Sequence, residues 1–229
     1  MINRNIYLYI FIIILIIIFF YYFTNNKNKI PRIIHQIWVG PNPIPEKSKK
    51  FIEKIKELHP NFEYRLWNDN DINEKNFKNV KYINDTKSYA QKADIMRLEI
   101  LYNYGGIYID IDIEVIKNLE PLLTNELIVC NEDSNINKYM STGFIASTKD
   151  NINLKNTVDN INKVDFTQEI NIATGPTYFR KNIVINNNVT VLPTKFIYPI
   201  PYGTEVSKES LNNVDLSESY AIHHWDKNW

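Results

Sequence analysis

The sequence predicts an α/β domain on a mostly parallel central sheet, preceded by an apolar N-terminal helix. Three observations carry this reading. From Pro31 onward, strand signals and helix signals alternate, a pattern that lays helices over the faces of a sheet. "IYIDIDIEV", residues 107–115, alternates apolar and polar side chains directly after a Gly-Gly pair. Residues 6–23, "IYLYIFIIILIIIFFYYF", contain no charge, glycine or proline.

The apolar run comes first. As a helix it extends roughly 27 Å, close to the hydrocarbon thickness of a bilayer. Tyrosines lie near both of its ends, where aromatic belts sit. A removable signal has a shorter apolar core and a small-residue cleavage site, and neither is present. Residues 1–24 are therefore expected to form a single-pass membrane anchor, 25–30 a short polar tether, and 31–229 one folded domain. Arg4 precedes the run and Lys27, Lys29 and Arg32 follow it, so flanking charge leaves its orientation open.

Within the domain, "RIIHQIWV" is expected as a strand that stops at the Pro-rich turn "GPNPIPE". Phe51, Ile55 and Leu58 recur at helical spacing before Pro60. "FEYRLW" is a second strand, closed by "NDND". Residues 86–106 predict a long helix: Ala90, Ala93, Arg97, Ile100, Leu101 and Tyr104 fall on one stripe, and Gly105 stands where a helix end favours positive φ. "ELIVCN" and "GFIAS" read as further strands, 152–164 as a helix, the residues after "TGP" as a helical turn, and brief strands close the chain. Ligands of such sheets bind at the carboxyl ends of the strands.

Charge and cysteine content exclude some functions. The 26 basic and 26 acidic residues balance, which leaves no excess to neutralise phosphates and argues against a nucleic-acid partner. Cys130 is the single cysteine, so there is neither an internal disulfide nor a Cys-rich metal site.

The chemistry is concentrated at the alternating segment. In an extended chain Ile107, Ile109, Ile111 and Ile113 share one face, and Tyr108, Asp110, Asp112 and Glu114 the other. Carboxylates two residues apart lie roughly 7 Å apart along a strand, too far to share a proton. A divalent cation turns their repulsion into joint coordination, and Mg2+ or Mn2+ suits hard oxygen ligands completed by phosphate oxygens. Asp94 and Arg97, three apart on the preceding helix, are neighbours. Arg97 falls inside the apolar stripe, and a polar cleft beside the aspartates would account for a guanidinium there.

"IPRIIHQIWVG", "ADIMRLEILYNYGGIYIDIDIEV", "ATGP" and "AIHHWDKNW" resemble the successive motifs of the glycosyltransferases with a DXD sugar-binding region. These include yeast-type α-1,6-mannosyltransferases, capsular polysaccharide transferases and α-1,4-galactosyltransferases (glycosyltransferase family 32-like). The resemblance runs from Pro31 to Trp229. It implies a GT-A type α/β/α sandwich and a Mn2+- or Mg2+-dependent hexosyltransferase, membrane-anchored here. Such an enzyme takes a nucleotide-sugar donor and a glycan, glycolipid or glycoprotein acceptor, and transfers with retention; in a eukaryotic host its address would be Golgi-like. The resemblance also implies roles for single residues. Asp110 and Asp112 match the metal and donor-diphosphate motif, with Tyr108 beside them, and Asp94 and Arg97 match the pair that contacts the donor sugar. His35 and Trp38 fall where base and ribose are held. His223 matches a histidine that ligates the metal; Asn228 stands where relatives carry a serine, and Trp229 closes over the donor. Because His223 and His224 are consecutive, only one can face the metal if the chain is extended there. The competing readings are a metal phosphohydrolase and a non-catalytic, membrane-anchored glycan- or calcium-binding surface protein.

Overall fold

The computed structural model of the protein describes residues 9–17, 29–132 and 140–226. Residues 9–17 are helical (α1), with their apolar side chains exposed. Among the described residues no helix is long and apolar enough to cross a membrane. The rest of the expected anchor, and tether residues 25–28, lie outside the described residues.

The domain is organised by one six-stranded sheet of order β2-β1-β3-β6-β5-β7. These strands are β1 (Ile33–Ile37), β2 (Glu63–Trp67), β3 (Gly106–Ile109), β5 (Leu127–Asn131), β6 (Met140–Ser147) and β7 (Val189–Leu192). β1 pairs in parallel with β2 and β3, and β5 with β7; β6 runs antiparallel to both of its neighbours. The sheet is thus mostly parallel, as the alternation of signals predicts. A separate antiparallel pair joins β4 (Ile113–Val115) to β8 (Ala221–His223).

Both faces of the sheet are covered. One core contains Met96, Leu98 and Leu101 of α4 (Tyr89–Tyr104), Leu154 of α5 (Ile152–Asn160) and Phe179 of α7 (Pro176–Asn182). The other contains Ile55 of α2 (Glu46–Leu58) together with Ile107, Ile109 and Ile113. β3 alternates between them, with Tyr108 in the first and its isoleucine neighbours in the second. α4 is buried continuously from Ala93 to Leu101, so it is a central helix rather than an amphipathic one with a single stripe. Ser88 caps its start, its side chain accepting from the Gln91 N–H; Gly105, at φ +66°, ends it. The second glycine is sterically required, because a Cβ on Gly106 would lie 2.5 Å from the Ile33 carbonyl oxygen.

Two short helices, α3 (Val80–Asp85) and α6 (Ile170–Ala173), are not foreseen by the periodicity. α8 (Lys208–Asn212) and several single 3-10 turns complete the chain. The largest departure concerns residues 107–115, expected as one strand. β3 stops at Ile109, a turn closed by the Ile113 N–H donating to the Asp110 carbonyl follows, and β4 begins at Ile113. Ile111 accordingly leaves its expected companions and packs with Trp38 and Ile52.

Candidate active site

The turn at residues 110–112 decides the geometry. A continuous strand would hold the two carboxylates roughly 7 Å apart. Breaking it lets Asp110, Asp112 and His223 each offer a ligand atom, all within 4.8 Å of one another. Strand β8 brings His223 into place by pairing with β4, where Ile113 stands opposite His223. His223 Nε2 lies 3.1 Å from Asp112 Oδ1, and Asp112 Oδ2 accepts from the Asp226 N–H at 3.0 Å. The imidazole is buried, and among the described residues its Nδ1, like that of His224, has no partner. Burial alone would lower the His223 pKa, but the hydrogen bond and charge of Asp112 outweigh it and raise the value. His224 faces elsewhere, toward Glu114 at 3.1 Å and against the Phe51 ring.

On the other side, Arg97 is held almost entirely by protein groups. Its guanidinium donates to the carbonyl oxygens of Ala93 and Thr142, and lies 3.2 Å from Asp110 and 3.5 Å from Asp94. It also sits 4.6 Å from the Tyr108 ring centre. The Tyr108 hydroxyl donates to Asp110 Oδ1 at 2.6 Å, and the Thr174 hydroxyl to Asp94 Oδ2 at 3.0 Å. One cation therefore serves two carboxylates. Asp94 is the poorer served: burial pushes its pKa up to about 6, against the pull of Arg97 and Thr174. Burial opposes the charge on Arg97, but Asp110, Tyr108 and Asp94 together hold its pKa above the usual value. With side-chain exposures of 5% and 7%, Arg97 and Asp94 present themselves to Asp110 and to each other rather than to an open cleft. This differs from the direct donor contact expected for them.

His35 also stands apart from the site. Its ring is fully buried, Nε2 lies 2.9 Å from the Gly105 carbonyl oxygen and Nδ1 accepts from the Trp67 indole. Both nitrogens are engaged by protein groups, and burial lowers its pKa to about 4. Trp38 is buried beside Ile111 and donates its indole N–H to the Asn42 carbonyl. It supports the 110–112 turn from beneath. Asn228 and Trp229 lie outside the described residues.

Several contributors escape a reading of motifs. Thr142 and Thr174 hold Arg97 and Asp94, and Gln36 donates to the Asp110 carbonyl at 3.3 Å. Gly143 leaves room for the metal-facing carboxylate, since a Cβ there would lie 2.8 Å from Asp110 Oδ2. A glycine inside the strand "MSTGFIAS" was the available signal, because it marks a close approach. Tyr198 and Trp225 flank His223, their ring centres 5.5 and 3.9 Å from the imidazole.

Comparison with known proteins bears directly on this region. Residues 45–129 match the family described as "Glycosyltransferase sugar-binding region containing DXD motif". Over these residues the chain is similar to that region. Over 106 residues it is 41% identical to inositol phosphoceramide mannosyltransferase 3 of Schizosaccharomyces pombe, covering 44% of this chain and 29% of that protein. Over 158 residues it is 29% identical to lactosylceramide 4-alpha-galactosyltransferase of Pongo pygmaeus, covering 59% of this chain and 66% of that protein. The matched stretch thus spans less than a third of the mannosyltransferase's own length. Among solved structures, the PaToxG glycosyltransferase superposes with a TM-score of 0.55 at 21% identity, covering 67% of this chain and 69% of that one. At that identity the likeness is one of fold, and the DXD region here sits in the GT-A-like α/β frame expected from the resemblance.

Proposed function

We propose that the protein is a metal-dependent hexosyltransferase, moving a sugar from a nucleotide diphosphate to a hydroxyl of a glycan, glycolipid or glycoprotein with retention of configuration. The observation that carries this reading is the convergence of Asp110 and Asp112, inside the stretch that matches the DXD family, with His223, which lies outside it, all within 4.8 Å. Two carboxylates and an imidazole suit Mn2+ or Mg2+, and the unpartnered, buried Nδ1 of His223 fits a ring whose bonding is incomplete in the metal-free protein. Asp110, Asp112 and His223 would hold the ion, and when bound it supplies charge neutralisation for a departing diphosphate. Tyr108 and Arg97 fix the Asp110 carboxylate, and Gly143 leaves it space. Asp94 and Arg97 act through Asp110 as positioning residues. The names of the two relatives favour mannosyl or galactosyl transfer to a lipid-linked acceptor. The apolar run at residues 6–23 supports attachment to a membrane, where such acceptors reside.

The test is nucleotide-sugar hydrolysis by the full chain, with and without Mn2+. The wild type is expected to release nucleotide only with the metal, and the doubly substituted Asp110→Asn, Asp112→Asn variant to lose that activity by at least a hundredfold. Undiminished metal-dependent turnover by the variant rules the scheme out.

A further inference from the structure

A cavity of about 960 Å3 opens beside the candidate active site, at the large end of the roughly 300–1,000 Å3 range of small-molecule sites. Asn171 and Pro176 form one rim. Between them in the chain stands Thr174, which holds Asp94. The opposite wall consists of Tyr198, Tyr202 and Trp225. Tyr198 and Trp225 are the two rings packed on His223. The cavity is therefore bounded by the aromatic supports of His223 and, at Asn171 and Pro176, by neighbours in sequence of Thr174.

We propose that this cavity is the acceptor subsite and that it takes an uncharged sugar ring of a glycan, with Tyr202 and Trp225 as its aromatic wall. The proposal rests on the glycosyltransferase reading above. Pyranose rings present apolar C–H faces and polar edges, which suits aromatic walls interrupted by a few hydrogen-bonding groups. The charged residues at its lining are Glu132 and Lys195, and Lys195 is paired with Glu218. With one charge of each sign, the cavity offers a phosphate no net attraction. A smaller cavity of about 420 Å3 shares Tyr202 and Trp225 but also carries Lys47, Glu205 and Asp226. The two rings thus divide an aromatic compartment from a more charged one.

The backbone supports a dedicated role for this wall. Trp225 adopts φ +54°, a left-handed conformation that a bulky residue rarely occupies. Such strain persists where surrounding contacts over-determine it, and it concentrates at functional sites. Here the indole N–H donates to the Ile200 carbonyl at 2.9 Å, and the next residue's N–H donates to Asp112. The ring is locked against His223 while its neighbour supports a candidate metal ligand. Tyr202, 64% exposed, stands edge-on to Trp225 at 5.3 Å, where it can meet an incoming sugar.

The experiment measures binding of methyl α-D-mannopyranoside and methyl β-lactoside to the full chain in detergent with Mg2+, by saturation-transfer NMR. Calorimetric titration with Mg2+ and with Mn2+ is run on the same proteins. At least one glycoside is expected to bind, its affinity falling at least fivefold in Tyr202→Ala and staying within twofold in Tyr202→Phe, which keeps the ring. Because Tyr202 lies at the surface, circular dichroism of both variants should match the wild type. Absence of both Mg2+ and Mn2+ binding by the wild type, titrated in turn, overturns the underlying reading, and the subsite with it. Binding of either ion but of neither glycoside, or equal glycoside binding by Tyr202→Ala, overturns the subsite alone.

Discussion

Asp94 and Arg97 come from a single helix, and Asp110 from the turn just after the strand that follows it. Asp112, by contrast, meets His223 across 111 positions of sequence, on a two-stranded ribbon outside the main sheet. The Arg97 side is buried and fully bonded, with a guanidinium between two carboxylates. The His223 side keeps a buried nitrogen without a partner. In the first the charges satisfy one another and hold the fold; in the second the bonding is incomplete and suited to a ligand. Substitutions on the first side should therefore cost stability, and those on the second should cost binding.

The largest effect is expected at Arg97. Replacing it with methionine keeps much of the packing volume but leaves the buried Asp94 and the half-buried Asp110 without their counter-ion. Removing one partner of a buried charge pair typically costs about 3–5 kcal/mol. Denaturant unfolding of Arg97→Met should show a loss in that range. A loss below about 1 kcal/mol would mean that the cluster is hydrated, and the contrast between the two sides would fail.

Asp94 sharpens the same point through pH. Its carboxyl is raised from 3.8 to about 6, first by burial. For a group whose folded pKa is raised, the linked stability is fully present below the unfolded value and is lost as pH rises through the folded one. The wild type should therefore gain on Asp94→Asn as pH falls from 7.5 to 4.5, by about 2 kcal/mol. Other titrating groups are common to both proteins and largely cancel. A stability difference that stays flat across this window would show that Asp94 ionises normally.

The same contrast explains what was readable before the fold was known. Local features were visible: the mostly parallel sheet, the helix over 86–106 with its glycine end, and the pairing of Asp94 with Arg97 all follow from spacing within one or two elements. The break between β3 and β4 was not. Alternation at residues 107–115 fits one strand perfectly well, and only the turn bond from the Ile113 N–H to the Asp110 carbonyl and the partner strand β8 split it. The surroundings of His35 were hidden for a similar reason. A histidine on an apolar strand looks the same whether it faces a ligand or an indole, and here Trp67 claims it. Thr142, Thr174 and Trp225 act by meeting residues far away in sequence; Thr174 and Trp225 fall inside the motifs "ATGP" and "AIHHWDKNW", but spacing gave neither a role, and Thr142 lies in no motif. The resemblance to a family supplied His223, which spacing alone left level with His224.

The smallest effect on stability, and the most telling on function, is expected at His223. Alanine there removes one hydrogen bond to Asp112, worth about 1 kcal/mol. The Asp226 N–H still holds the other carboxylate oxygen, so the 110–112 turn keeps a tie to the C-terminal segment. Metal affinity should respond far more strongly. Loss of mere outer-shell partners lowers affinity about 10–100-fold, and loss of a direct ligand should do no less. Calorimetric titration of His223→Ala with Mn2+ should therefore show at least a tenfold weaker site in a protein that unfolds nearly like the wild type. Retained affinity would leave Asp110 and Asp112 as the working pair and reduce His223 to a packing residue. Full unfolding would erase the distinction between the two sides, because the ribbon would then be part of the scaffold.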